Sequence, residues 1–308
     1  MRPLGDIALA SGATIIGAAA AGPGRGLRQA LGRWTGNTAV TLGGGLFVAI
    51  VLAGLVGPLL SQDPFAQDAA NRLIPPAWDE AGTRAHLLGT DGLGRDYLAR
   101  LLYGARISLL IGFSTVLIAG LFGTVMGIVA AFYGGWVDTL VRFVVTTRLA
   151  LPVVLVALAV VSIAGASLEL LIVLLGLLLW DRFAIVARSS TLTLRRAEFV
   201  TAARSVGQSV PLIIAREILP NIANNLVVIA TVEIANAMLL EAALSFLGLG
   251  VQPPLPSWGL MIAEAKDYLF FTPYLITLPG ACLLALVFSI NLLGDGIRDV
   301  TDPQNRPR

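Results

Sequence analysis

The chain has 308 residues, 56% of them hydrophobic and 13% charged, with a net charge of +2. A soluble domain carries roughly 25% charged residues, so this composition excludes two ordinary water-facing domains and identifies an integral membrane protein. The lone Cys282 and lone His86 exclude a disulfide framework and a structural zinc cluster, and the small net charge gives no basis for nucleic-acid binding.

Residues 1–38 precede the first span. Within them Ile7–Ala21 is apolar but rich in Ala, Gly and Ser, and Asp6 stands where a signal peptide would carry basic residues. The segment therefore reads as a cytoplasmic leader. A bilayer core of about 30 Å needs roughly 20 apolar residues in helical form. Six stretches meet that length: residues 39–60, 107–132, 143–167, 168–187, 222–247 and 271–293. The third carries Arg148 near its start, the fourth Asp181 and Arg182, and the fifth Glu233 and Glu241. With the N-terminus inside, fifteen of the basic residues fall on the cytoplasmic side and six outside, which obeys the positive-inside bias and puts both termini in the cytoplasm.

This fold class is an all-α membrane protein with six transmembrane helices. The spans leave an external loop over 61–103, a core over 104–294, a cytoplasmic loop over 188–221, an external loop over 248–273 and a cytoplasmic tail over 295–308. In the first loop, Asp91 and Asp96 with Gly92 and Gly94 read as a turn with Asp96 capping the next helix, because a calcium loop needs more oxygen ligands at alternate positions. Pro253, Pro254 and Pro256 stiffen the second, with Trp258 as an interfacial anchor. Gly123 and Gly127 form a G-x-x-x-G that lets helix backbones approach closely, and Gly43–Gly45 is expected to serve likewise.

Missing chemistry is informative. A P-loop needs a lysine after glycine, but the only lysine, Lys266, follows Glu264 and Ala265. No ATP site, metal site or catalytic residue is expected in this chain. Glu233 and Glu241 are eight residues apart, about 12 Å along a helix and on nearly the same face. With Asn236 between them, they are candidates for lining a passage. The functional reading is contact with the amino end of a passing peptide; the competing one is hydrogen bonding between helices.

The cytoplasmic loop contains a candidate docking helix. Glu198 to Val206 has helix-forming composition, with Phe199, Ala202, Ala203 and Val206 expected on one face. Gly207 is a natural helix stop, and Pro220 suits the entrance to the next helix. Periodicity alone leaves two readings open, a partner-docking helix and an amphipathic helix resting on lipid headgroups.

The run Thr201-Ala-Ala-x-x-x-Gly207 followed by Ile218, Leu219 and Pro220 resembles the cytoplasmic loop motif of permease subunits in bacterial binding-protein-dependent ABC importers. The family form usually begins with Glu, where Thr201 stands here. Leu88-Gly-Thr-Asp-Gly-Leu-Gly-Arg-Asp96, Tyr133-Gly-Gly-Trp-Val-Asp138, the run from Leu244 to Gly259 and Asn291-Leu-Leu-Gly-Asp-Gly-Ile-Arg-Asp299 are similar to the second permease subunit of dipeptide and oligopeptide importers. Thr146 stands where relatives often carry Asp. The resemblance implies a type I (MetI-like) ABC importer permease fold in the bacterial cytoplasmic membrane. It further implies a second, different permease, two ATPase subunits or domains that bind ATP and Mg, and an external binding protein that delivers peptide. Glu198, Thr201, Ala202, Ala203, Gly207, Ile218, Leu219 and Pro220 would then form the ATPase-coupling loop, and Ala203→Arg would uncouple transport. Related permeases for nickel, glutathione or other small solutes are the nearest alternative. A stand-alone secondary transporter or channel is the alternative of another class.

Overall fold

A computed structural model describes residues 36–301, so the leader, apart from residues 36–38, and the last seven residues lie outside the described part. The regular structure of the described residues is helical, with one isolated extended pairing between Thr90 and Asp96. Helix α1 covers Thr38–Leu60, and the Asn37 side chain caps it by accepting from Ala39 N at 2.9 Å. The segment up to Asp96 folds over one end of the bundle. There the Asp96 carboxylate accepts from Ala99 N at 2.8 Å, and α2 (Tyr97–Tyr133) begins. At 37 residues α2 is about 55 Å long, well beyond the bilayer core.

The third span departs from expectation. It is not one helix but two, α3 (Gly135–Ala150) and α4 (Val153–Ala164), bent by 85° at Leu151 and Pro152. Proline disfavours helical geometry in the residue before it, and Leu151 is extended. Helices α5 (Leu168–Leu178) and α6 (Trp180–Leu194) follow, together long and apolar enough for one span. The short α7 (Glu198–Ser205) leads to α8 (Val210–Ile213), a π-turn over Ile214–Ile218, and α9 (Leu219–Phe246). Then come α10 (Trp258–Ala265) and α11 (Tyr274–Thr301). Among the described residues, five helical stretches are long and apolar enough to cross a membrane, and the bent pair makes a sixth.

Two boundaries move with this description. Residues 188–194 still belong to α6, and the long helix of the fifth span already starts at Val210, which leaves residues 195–209 between them. Pro220 stands in the first turn of α9, as expected, but the helical path begins earlier, at Ser209 with Pro211 in its first turn, and reaches Pro220 through the π-turn. A proline inside a helix lacks its N–H and crowds the carbonyl four residues back, and the wider turn relieves that crowding.

Helix α2 runs through the middle of the bundle against α6, α9, α1 and α5. Its tightest contact is with α6. A Cβ on Gly127 would stand 2.9 Å from the Ala187 Cβ and closer still to the Ala184 carbonyl, and one on Gly123 would stand 2.7 Å from the Phe183 Cβ. The G-x-x-x-G is thus a packing device. Of the glycine triplet in α1, only Gly43 meets backbone, 2.7 Å from Leu293 N of α11 to its would-be Cβ, while Gly45 faces open space.

Candidate functional site

Helix α7 stands at the end of the bundle opposite the 61–96 segment. Glu198 in its first turn complements the positive helix end. Gly207, at φ 80°, terminates it: its N–H donates to the Arg204 carbonyl at 2.9 Å, and Gln208 N–H donates to the Ala203 carbonyl at 3.1 Å. Val200 and Ala203 turn inward and pack with Ile213 of α8 and Phe132 of α2. The Arg204 guanidinium lies 4.7 Å from the centre of the Phe132 ring. Phe199, Thr201, Ala202 and Val206 face outward, Val206 at 82% exposure, and no atom lies within 4 Å of where a Gly207 Cβ would stand.

Ala203 is thus buried with Val200, whereas Phe199, Ala202 and Val206 are exposed. At about 100° per residue it lies about 40° from Phe199 and about 60° from Val200, on the inner edge of the outward strip, and the inward pair anchors the helix while the other three stay open. In the following motif, Ile218 is buried against Ile128, Ala187 and Ile222, whereas Leu219 and Pro220 are exposed.

The two acidic residues of α9 have different surroundings. Glu241 is buried, and its Oε1 accepts from Ser245 Oγ at 2.7 Å and Ser257 Oγ at 2.8 Å. Ser257 also caps α10 by accepting from Leu260 N at 3.0 Å, so Glu241 fixes α10 to α9. Glu233 is buried too, 3.2 Å from Arg182 Nη1 of α6, and accepts from Asn236 Nδ2 at 3.3 Å. Asn236 is half-buried. Neither carboxylate is open to a passing amino group within this subunit.

A second charged cluster joins the 61–96 segment to α2 and α10. Asp91 pairs with Arg95 Nε at 2.7 Å and with Arg100, and Glu264 lies 2.8 Å from Arg100 Nη1 and 3.3 Å from Arg95 Nη2. Burial opposes the ionised form of Asp91. The guanidiniums of Arg100 and Arg95, with the backbone N–H groups of Arg95 and Leu93, outweigh it and hold the carboxyl below the usual carboxylate range. Sequence reasoning missed this network because Glu264 is 169 residues from Arg95, and only the folded chain brings it to the local Asp91, Arg95 and Arg100. Trp258, expected as an interfacial anchor, is instead 3% exposed; its Nε1 donates to the Leu101 carbonyl at 2.9 Å and its backbone N–H to Ser108 Oγ at 3.1 Å. Asp138 of α3 receives Arg188 of α6 on both oxygens, at 2.5 and 2.8 Å.

Comparison with known proteins bears on both ends of this arrangement. A family profile described as binding-protein-dependent transport system inner membrane component matches residues 123–307. The dipeptide transport system permease protein of Haemophilus influenzae is 38% identical over 84% of this chain and 88% of its own. The di/tripeptide transport system permease protein of Pseudomonas aeruginosa is 41% identical over 85% of this chain and 88% of its own. The glutathione transport system permease protein of Pectobacterium atrosepticum is 36% identical over 86% and 87%. Among solved structures, a chain of the inward-facing methionine ABC transporter MetNI matches with a TM-score of 0.55 at 19% identity, covering 66% of this chain and 96% of that one. That likeness speaks to the fold alone. With bundle, loop helix and relatives in agreement, this multi-pass chain belongs to the binding-protein-dependent transport system inner membrane components, the permease subunits of ABC importers.

Proposed function

We propose that this chain is one of two different permeases forming the passage of an ATP-driven importer of dipeptides and oligopeptides, with both termini in the cytoplasm. ATP and Mg belong to two partner ATPase subunits or domains, and an external binding protein delivers the solute to the end of the bundle that carries the 61–96 segment and α10. The observation that supports this best is the pairing of high identity to dipeptide permeases with an outward apolar face on α7. Phe199, Thr201, Ala202 and Val206 dock on the ATPase, Gly207 leaves room for close approach, and Glu198 stabilises the helix. Ile218 holds the following turn in the core, with Leu219 and Pro220 beside it. Glu233 and Asn236 belong to the wall of the passage with Arg182, and Glu241 braces it. The chain has no ATP site of its own, in keeping with the missing P-loop lysine.

Uptake of labelled dipeptide tests the proposal in a strain lacking other peptide importers. It is expected only when the second permease, the ATPases and the binding protein are present; uptake by this chain alone in vesicles overturns it. A second reading, import of glutathione, draws on the Pectobacterium relative. Competition between unlabelled glutathione and labelled dipeptide separates the two.

A further inference from the structure

Four charged side chains meet inside the spans beside the bend between α3 and α4. The two acids are enclosed: Glu233 by Arg182 and Asn236, and Asp181 by Arg148 Nη1 at 3.2 Å. The exposed charge is cationic: the Arg182 side chain is 53% exposed near the middle of its span, while the Nε of Arg148 and the Oε2 of Glu233 are buried without a hydrogen-bond partner. Arg148, Asp181, Arg182 and Asn236, with Leu179 and Leu240, line a cavity of 310 Å³. An arginine facing lipid at mid-span costs roughly 2.5–3.5 kcal/mol, so this face meets water or protein.

We propose that this cavity is a station on the solute's path that receives a carboxylate, with the Arg182 guanidinium as the principal donor and Arg148 as the second. The assignment rests on the importer reading and adds a recognition chemistry to it. A planar guanidinium offers two parallel N–H donors that match a carboxylate, and Asn236 supplies an uncharged neighbour on the same wall. Glu233 is the counter-charge that holds Arg182 in place. The passage therefore selects for the acid end of a zwitterionic solute, the reverse of what two acidic residues in α9 imply when read alone.

Cysteine labelling in the complete importer in membrane vesicles tests this. In a Cys282→Ala background, Asn236→Cys places a thiol beside the guanidinium. An anionic methanethiosulfonate is expected to react about tenfold faster than a cationic one of similar size, the preference expected from one nearby charge in a partly wet site. Arg182→Gln should bring the ratio to about one or below, because it leaves Glu233 without its counter-charge, and Arg182→Lys should preserve the preference. Acetylglycine should slow the labelling, and its amide should not. A thiol that reacts with neither reagent, rates indifferent to Arg182→Gln, or equal effects of acid and amide each overturn the station. Dipeptide uptake measured in parallel reports separately on the importer reading: labelling that keeps its preference without uptake discards the peptide and retains the station.

Discussion

The Ser257 hydroxyl, which caps α10, donates to the Glu241 carboxylate of α9 across 2.8 Å inside the protein. One carboxylate thus joins a spanning helix to the short helix packed over its end. Glu241→Ala leaves the Ser245 and Ser257 hydroxyls without their acceptor and opens a cavity, and is expected to destabilise the protein by about 3 kcal/mol. Glu241→Gln retains an acceptor and should cost about 1 kcal/mol. Thermal unfolding of the purified importer measures both. Uptake per folded molecule should be unchanged in the Gln variant, and a selective fall in uptake would assign the carboxylate to the solute instead.

The close approach of α2 and α6 sets a steric limit. Gly127→Ala places a methyl 2.9 Å from the Ala187 Cβ and is expected to cost about 1–3 kcal/mol, with Gly127→Leu worse. Gly45→Ala enters open space and should be neutral. Unfolding midpoints of the three variants in one detergent check the order.

Arginine substitutions distinguish the two faces of α7. Ala202→Arg adds a charge to the outward face, so the folded protein should accumulate normally while ATPase binding falls at least about tenfold, the loss of one close contact of about 1.4 kcal/mol. Ala203→Arg drives a guanidinium against Val200, Ile213 and Phe132, and folded protein should be lost before docking is affected. Expression level and ATPase co-purification separate the outcomes. Equal yields with equal loss of binding would return Ala203 to the docking face.

Acid stability reports on Asp91. Its folded carboxyl ionises below the usual range, so its contribution is complete above the ordinary aspartate value of about 3.9 and is lost as pH falls through the lower folded value. Hydrogen exchange in the 61–96 segment should stay slow at pH 5 and rise only in stronger acid. Asp91→Asn should speed it at pH 7, because Arg95 and Arg100 then share Glu264 alone. Exchange that rises between pH 7 and 5 in the native chain would contradict this.

Hydropathy exposed the spans because a lipid-facing helix must be apolar over its whole length. It could not expose the bend at Pro152, since α3 and α4 together pass the same apolar test as one straight helix. The Asp96 cap was legible because capping is local. The pairing of Arg100 with Glu264 was not, because only the folded chain brings them together. In α7 the motif located the helix but not its inward side, since Val200–Ala203 and Phe199–Ala202–Val206 are both compatible with helical spacing. The arginines of the spans were visible as charges, but which of them stays open depends on which acid each one meets.

The union of α8, the π-turn and α9 has a mechanical consequence. From Val210 to Phe246 the chain is one uninterrupted rod, footed on α7 through Val200, Ala203 and Ile213 and tied at its far end to α10 by Glu241. No slack linker lies between the two ends, so a tilt applied at the foot is delivered to the opposite mouth as the same rigid swing.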